Sequence, residues 1–397
     1  MRSILSTLIL TSVLVGCSDG PSSPNPELPP PNLDPALVAQ GKEIFRFDTF
    51  GDDHFWTDTL RIHEVIQAAV TPRLALSLGL KVDVDALPQA VQTAIAEGHV
   101  DLDDPATTVT LLKLGAVVGL QGRVETINGR DTLTSIGVTC ALCHSVVDNS
   151  FAPGIGHRLD GYANTTLNPG AIIATSPALT EAQRAVYSSW GPGLYDPRFS
   201  IDGLNTPIVI PPAYGLARVS HETFTGDGPV SYWNAYVAVT QMHGQGNFVD
   251  TRLGISRSAS PDLVTSKLPA LRAYQLSIAA PAPPAGSFDP AAAARGRKVF
   301  AGQARCATCH TGTVLSDINL GIRHDASETG MDPAYAQRTA ERRYRTTPLR
   351  ALWQHAPYFH DGSAATLEEV VTHYQRALAL NLTATERADL LEYLRSL

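Results

Sequence analysis

The chain has 397 residues, 44% of them hydrophobic, with 30 Lys plus Arg against 38 Asp plus Glu and a formal net charge of −8. That length makes two or three domains at the usual ~100–200 residues each, and the apolar fraction excludes wholesale disorder. The acidic balance argues against a nucleic-acid partner, which would need a basic stripe. The five cysteines are more informative. Four fall in two C-x-x-C-H segments and the fifth is Cys17, so none remains for a disulfide framework.

In chain order, Met1–Arg2 supplies one positive charge and Ile4 to Val15 is largely apolar. A run this short does not comfortably span a ~30 Å hydrocarbon core, so residues 1–17 read as a signal peptide. Leu14-Val15-Gly16-Cys17 resembles the lipobox of bacterial lipoproteins. The resemblance implies cleavage before Cys17 and a lipid anchor there. The mature protein is then expected on the periplasmic side of a bacterial membrane. Ser18 favours the outer one. The Pro-rich stretch 18–33 reads as a tether.

Two similar halves follow, at 34–279 and 289–397, joined by a Pro-rich linker at 280–288. Asp34-Pro-Ala-Leu-Val-Ala-Gln-Gly-Lys-Glu-Ile-Phe45 matches Asp289-Pro-Ala-Ala-Ala-Ala-Arg-Gly-Arg-Lys-Val-Phe300, each an Asp-Pro helix start. Asn205-Thr206-Pro207 parallels Thr346-Thr347-Pro348, and Phe224-Thr-Gly-Asp-Gly228 parallels Phe359-His-Asp-Gly362. Leu271-x-x-Tyr274 matches Leu390-x-x-Tyr393. Four matches in one order argue for duplication of a single domain. The first copy alone carries an insertion, at about 46–135. Helices are expected there over Leu60 to Val70 and Pro88 to Ala96, with a short strand over Leu80 to Val84.

Each half has one C-x-x-C-H: Cys140-Ala-Leu-Cys143-His144 and Cys306-Ala-Thr-Cys309-His310. On a helix, residues at i, i+3 and i+4 share a face, so two thiols and an imidazole point one way. The thiols can add to the two vinyl groups of haem, and the His can reach the iron. A redox dithiol needs no following His, and a structural zinc takes four ligands. The expectation is two covalently bound haem c groups, with His144 and His310 as proximal ligands. The fold expected is mainly α: two cytochrome c-like haem domains, the first carrying the long insertion.

The stretch Tyr344-Arg-Thr-Thr-Pro-Leu-Arg-Ala-Leu352, followed by Ala356-Pro-Tyr-Phe-His-Asp-Gly-Ser-Ala-Ala-Thr-Leu-Glu-Glu-Val-Val371, resembles the bacterial di-haem cytochrome c peroxidase and MauG family. The resemblance implies two haems facing an interface, one receiving electrons and the other reducing hydrogen peroxide. It also implies a small redox protein as electron donor, and it leaves room for a calcium ion between the domains. The insertion and the altered segment Phe224-Thr225-Gly226-Asp227-Gly228 depart from the family pattern in the first half.

The distal ligand decides between catalysis and electron transfer. After Met1 the chain has only Met242 and Met331. Met331, following His310, is the candidate sixth ligand of the second haem. Tyr344 is its rival, since the MauG branch uses a tyrosine; His355 and His360 are further options, and His360 is expected to line that haem. Around the first haem, Glu222 could move a proton, Gln241 could position a water, and Met242, His243 or His63 could supply a ligand or distal group. Trp190 is the candidate electron relay. Two other functions stay open: a non-catalytic electron carrier with both irons saturated, and a haem-based gas sensor.

Overall fold

Two helix pairs carry the sequence repeat. In the computed structural model, which describes residues 32–397, Asp34 caps a helix over Pro35–Phe47 by accepting from the Ala36 amide. Asp289 caps Pro290–Ala301 by accepting from Ala291 and Ala292. The first of these helices packs on Leu268–Ser277 and the second on Ala384–Arg395. Both crossings depend on a missing side chain. A Cβ on Gly41 would lie 1.9 Å from the Ala270 carbonyl oxygen, and one on Gly296 would lie 1.9 Å from that of Asp389. Beside each crossing, an aromatic pair meets edge to face: Phe45 with Tyr274 at 5.4 Å and Phe300 with Tyr393 at 5.2 Å. Cys17 and the apolar run before it lie outside the described residues.

The inserted stretch is part of the first core. Helices form at Ile62–Ala69 and Gln89–Ala96, inside the spans expected from sequence, and two more form at Pro72–Ser77 and Pro105–Lys113. Val82–Asp83 is a short strand, pairing in parallel with Ile155–Gly156. Sequence reading did not anticipate the antiparallel hairpin of Leu120–Ile127 and Arg130–Val138. Its turn is Asn128–Gly129, both at positive φ (52° and 76°), which matches the right-handed twist of the flanking strands. Leu111, Leu112, Leu133 and Ile136 from this stretch are buried with Phe45, Trp233 and Tyr274 in one core. The fold is mainly helical, as expected, with five two-stranded sheets among the described residues.

A smaller core holds Val299, Phe300, Leu352, Leu367, Leu390 and Leu394. A third cluster draws on both halves of the chain, with Ile208, Val209 and Phe224 against Tyr335, Ala336 and Tyr344. Buried ion pairs brace this seam: Arg338 with Asp196 at 2.7 Å and Arg198 with Asp227 at 2.5 Å. Losing one partner of such a pair strands a buried charge, at a cost of roughly 3–5 kcal/mol. The altered Gly226-Asp227-Gly228 segment thus has a structural task, because Asp227 neutralises Arg198. Among the described residues, no helix is long and apolar enough to cross a membrane.

Candidate haem sites

Each C-x-x-C-H segment opens onto its own cavity. Cys140 precedes the single turn Ala141–His144, and Cys140, Cys143 and His144 line a cavity of about 280 Å³. Cys306–Thr308 forms a tight turn, and Cys306, Cys309 and His310 line a second cavity of about 240 Å³. All four cysteines are free. Burial pushes the Cys140 and Cys143 thiols up to about 12 and that of Cys306 up to about 11. This is the opposite of a reactive dithiol, whose thiolate is stabilised.

The imidazoles are set up alike. His144 Nδ1 lies 2.9 Å from the Pro211 carbonyl oxygen, and His310 Nδ1 lies 3.0 Å from that of Leu315. A carbonyl only accepts, so Nδ1 carries the proton and Nε2 keeps its lone pair for a metal. Burial lowers the pKa of both rings, that of His144 to about 4. Both are the neutral form that ligates iron.

In the second cavity the structure brings together the candidates named from sequence. Met331, Tyr344, His355 and His360 all line it. The Tyr344 hydroxyl donates to the Asp332 carbonyl oxygen at 2.7 Å and lies 2.9 Å from His360 Nε2. A phenol has one proton to give, so His360 donates to Tyr344 in this arrangement.

The first cavity takes walls from the insertion: Trp56, Ile62, Ile66 and Leu120 line it. Ile62 and Ile66 sit one turn apart on one helix face. Glu222, Gln241, Met242 and Trp233 also line it. The Gln241 amide is fully engaged, accepting from Tyr195 at 2.8 Å and donating to Thr240 at 2.9 Å and Ser200 at 3.2 Å. Glu222 Oε2 lies 3.1 Å from Arg345, while its Oε1 is buried with no hydrogen-bond partner among the described residues.

Other sequence candidates sit elsewhere. His243 is not among the residues lining either cavity. The chain turns at positive φ there (63°), and the ring stacks on Phe55 at 3.7 Å. Trp190 is likewise displaced: it lies in a cluster with Tyr187, Tyr195 and Phe199, donating to Asn205 at 2.8 Å. Its ring neighbour Tyr195 lines the first cavity. His63 is not among the lining residues either, and its Nδ1 is buried without a partner among the described residues.

Phe224, Arg345, Thr347, Pro348 and His355 line both cavities and form their common wall. Sequence reasoning gave Arg345 and Arg350 no role and placed His355 at one haem alone. The available signal was two arginines inside the otherwise uncharged stretch Tyr344–Leu352. Among the described residues, the one group of three metal-capable side chains is Cys309, Asp317 and His324. A single carboxylate with sulfur and imidazole is not the oxygen cage that calcium takes.

A family model described as RoxA-like, cytochrome c-like matches residues 343–379. The chain is 32% identical over 123 residues to the methylamine utilization protein MauG of Methylorubrum extorquens, covering 26% of this chain and 34% of that protein. It is 28% identical over 151 residues to the cytochrome-c peroxidase IdrP1 of Denitromonas iodatirespirans, covering 27% and 40%. Over these stretches the chain is similar to proteins of the di-haem cytochrome c peroxidase and MauG family. The matches span only about a third to two-fifths of those relatives' lengths. A solved MauG-like protein associated with microbial copper homeostasis aligns at 22% identity and a TM-score of 0.34, over 49% of this chain and 74% of that one.

Haem c is the cofactor that this similarity implies, and the residues fit it. Thiols at i and i+3 and a neutral imidazole, whose Nδ1 is held by a backbone carbonyl, line a largely apolar cavity. In this chain the attachment residues would be Cys140 and Cys143 with His144, and Cys306 and Cys309 with His310.

Proposed function

We propose that this protein is a di-haem c-type oxidoreductase that takes electrons in at the second cavity and reduces hydrogen peroxide at the first. The observation that carries the reading is the pair of equivalent attachment sites meeting at one shared wall. Haem held at both sites would supply one electron each, matching the two electrons and two protons that convert hydrogen peroxide to two waters. The chain's own part is to bring the sites together, exclude bulk water and deliver protons. Glu222 suits the last task, because one carboxylate oxygen is anchored by Arg345 and the other is uncommitted. The Gln241 amide, locked by Tyr195, Ser200 and Thr240, would instead hold that wall in place. His243 and Trp190 are not assigned to the reaction. The second cavity, with Met331 in its lining, suits electron entry from a small redox protein. The lipid anchor at Cys17 and a periplasmic location belong to the same proposal.

One observation favours a second reading, the electron carrier. Each cavity has a methionine in its lining, Met242 in the first and Met331 in the second. Two thioether ligands would close both irons to substrate. Low-temperature electron paramagnetic resonance, with peroxide-dependent oxidation of a reduced small cytochrome, decides between them. Turnover with one high-spin centre, in the oxidised or half-reduced protein, supports the enzyme. Two low-spin centres in both states, with no turnover, leave the carrier.

A further inference from the structure

The wall between the cavities holds an unbalanced charge. Arg345 lines both cavities and Arg350 lines the first, and their side chains are 5% and 16% exposed. Both converge on a single carboxylate oxygen: Glu222 Oε2 is 3.1 Å from Arg345 and 3.9 Å from Arg350. Their other contacts are neutral, to the carbonyl oxygens of His221 and Gly215. Arg345 Nε is buried without a partner among the described residues. Burial lowers the pKa of both guanidinium groups, with Glu222 the carboxylate that opposes this. Two cations against one anion leave about one positive charge in an apolar seam. Such a charge costs several kcal/mol unless an anion meets it.

We propose that Arg345 and Arg350 are an anion clamp for haem carboxylates, with Arg345 serving both haems across the shared wall. Haem carries two propionate groups on one edge, opposite the apolar face that a hydrophobic cavity accepts. The guanidinium fork matches a carboxylate in two parallel hydrogen bonds. An arginine lining both cavities can hold one carboxylate from each side, so its charge acts on both iron potentials at once. Arg350, on the first side only, acts on one. The two are positioning residues. The inference rests on the reading that both cavities take haem.

The test uses the full-length holoprotein. The mass of the denatured chain first counts covalent haems, and fewer than two in the wild type would overturn the reading beneath this one. Spectroelectrochemical titration then gives both midpoint potentials, with the Cys306→Ser/Cys309→Ser chain identifying the first haem. Arg345→Gln is expected to lower both potentials, since loss of a nearby positive charge disfavours the reduced state. Arg345→Lys should restore most of the shift, and Arg350→Gln should lower the first potential alone. Unchanged potentials in Arg345→Gln and Arg350→Gln, at two haems per chain, would overturn the clamp and leave a purely structural ion cluster. If Arg345→Gln does not fold, Arg350→Gln still decides, because an unchanged first potential in that variant overturns the clamp. Added acetate probes a diffusible anion. A wild-type spectrum that responds to acetate, and loses that response in Arg350→Gln, would also overturn the proposal.

Discussion

The two halves of the molecule hold their attachment sites by the same means and differ on the opposite face. In each, a capped helix crosses a later one at a glycine, an aromatic pair seals the crossing, and the C-x-x-C-H histidine gives its Nδ1 proton to a backbone carbonyl. Across the cavity the likeness ends. The second half lines its site with Met331, Tyr344 and His360, all close in sequence. The first takes Trp56 and Ile62 from the insertion and Gln241 and Met242 from far downstream. The candidate attachment residues are alike in both halves, and under the proposed function the reactivity of each site would be set by the face that differs.

The largest effect should come from removing one site. Cys140→Ser with Cys143→Ser should leave a single covalent haem on the chain, counted by mass after denaturation. A chain still carrying two would break the equivalence of the halves. Next comes Glu222→Gln. General acid–base help is worth typically ~10²–10⁴-fold, so peroxide turnover should fall within that range while both haems remain. His243→Ala, outside both cavities, should change turnover far less. A reversed order would show that the first cavity had been misassigned.

The glycine crossings make the comparison quantitative. An exposed helical glycine gains up to about 1 kcal/mol on becoming alanine. At Gly41 and Gly296 the new methyl would meet a backbone oxygen, and overpacking typically costs about 1–3 kcal/mol. Gly41→Ala and Gly296→Ala should therefore both destabilise, as read from denaturant midpoints. Stabilisation by either would mean that its helix pair is looser than its partner.

Met331→Ala addresses the second half alone. If the Met331 thioether is the sixth ligand, the variant loses the weak long-wavelength absorption of the oxidised protein and its second haem falls in potential. An unchanged spectrum would hand the role to Tyr344 or a histidine.

What the sequence disclosed follows the range of the contacts involved. The C-x-x-C-H residues are three and four apart, and the crossing glycines and their aromatics recur in the same order, so the cavity-lining cysteines and histidines and the paired helices were legible. Asn128–Gly129 is a hairpin signal, but half of the strand before it is exposed, and Gly122 and Thr126 thin its apolar alternation, so the segment did not read as a strand. The shared wall was not legible, because Phe224 and Arg345 meet only once the halves pack. His243 and Trp190 were sound residue types in the right neighbourhood. A backbone turn directs one onto Phe55, and an aromatic cluster absorbs the other.

The smallest effect concerns a group for which the repeat offers no second copy. Asp52 is buried and accepts from the Val138 amide at 3.2 Å. Burial pushes its pKa up to about 9, with Asp53 and Asp48 adding to the rise, from an ordinary value of 3.8. Between those values the native state holds the proton more tightly than the unfolded chain does. Stability contributed by this group is complete below about pH 4 and is lost as pH rises towards 9. Asp52→Asn keeps an acceptor for Val138 and removes the titration. The variant should match the wild type near pH 4 and exceed it by a margin that widens towards pH 9, in denaturant unfolding at several pH values. Parallel stability profiles for the two proteins would show that Asp52 is ionised in the native fold and that burial does not hold its proton.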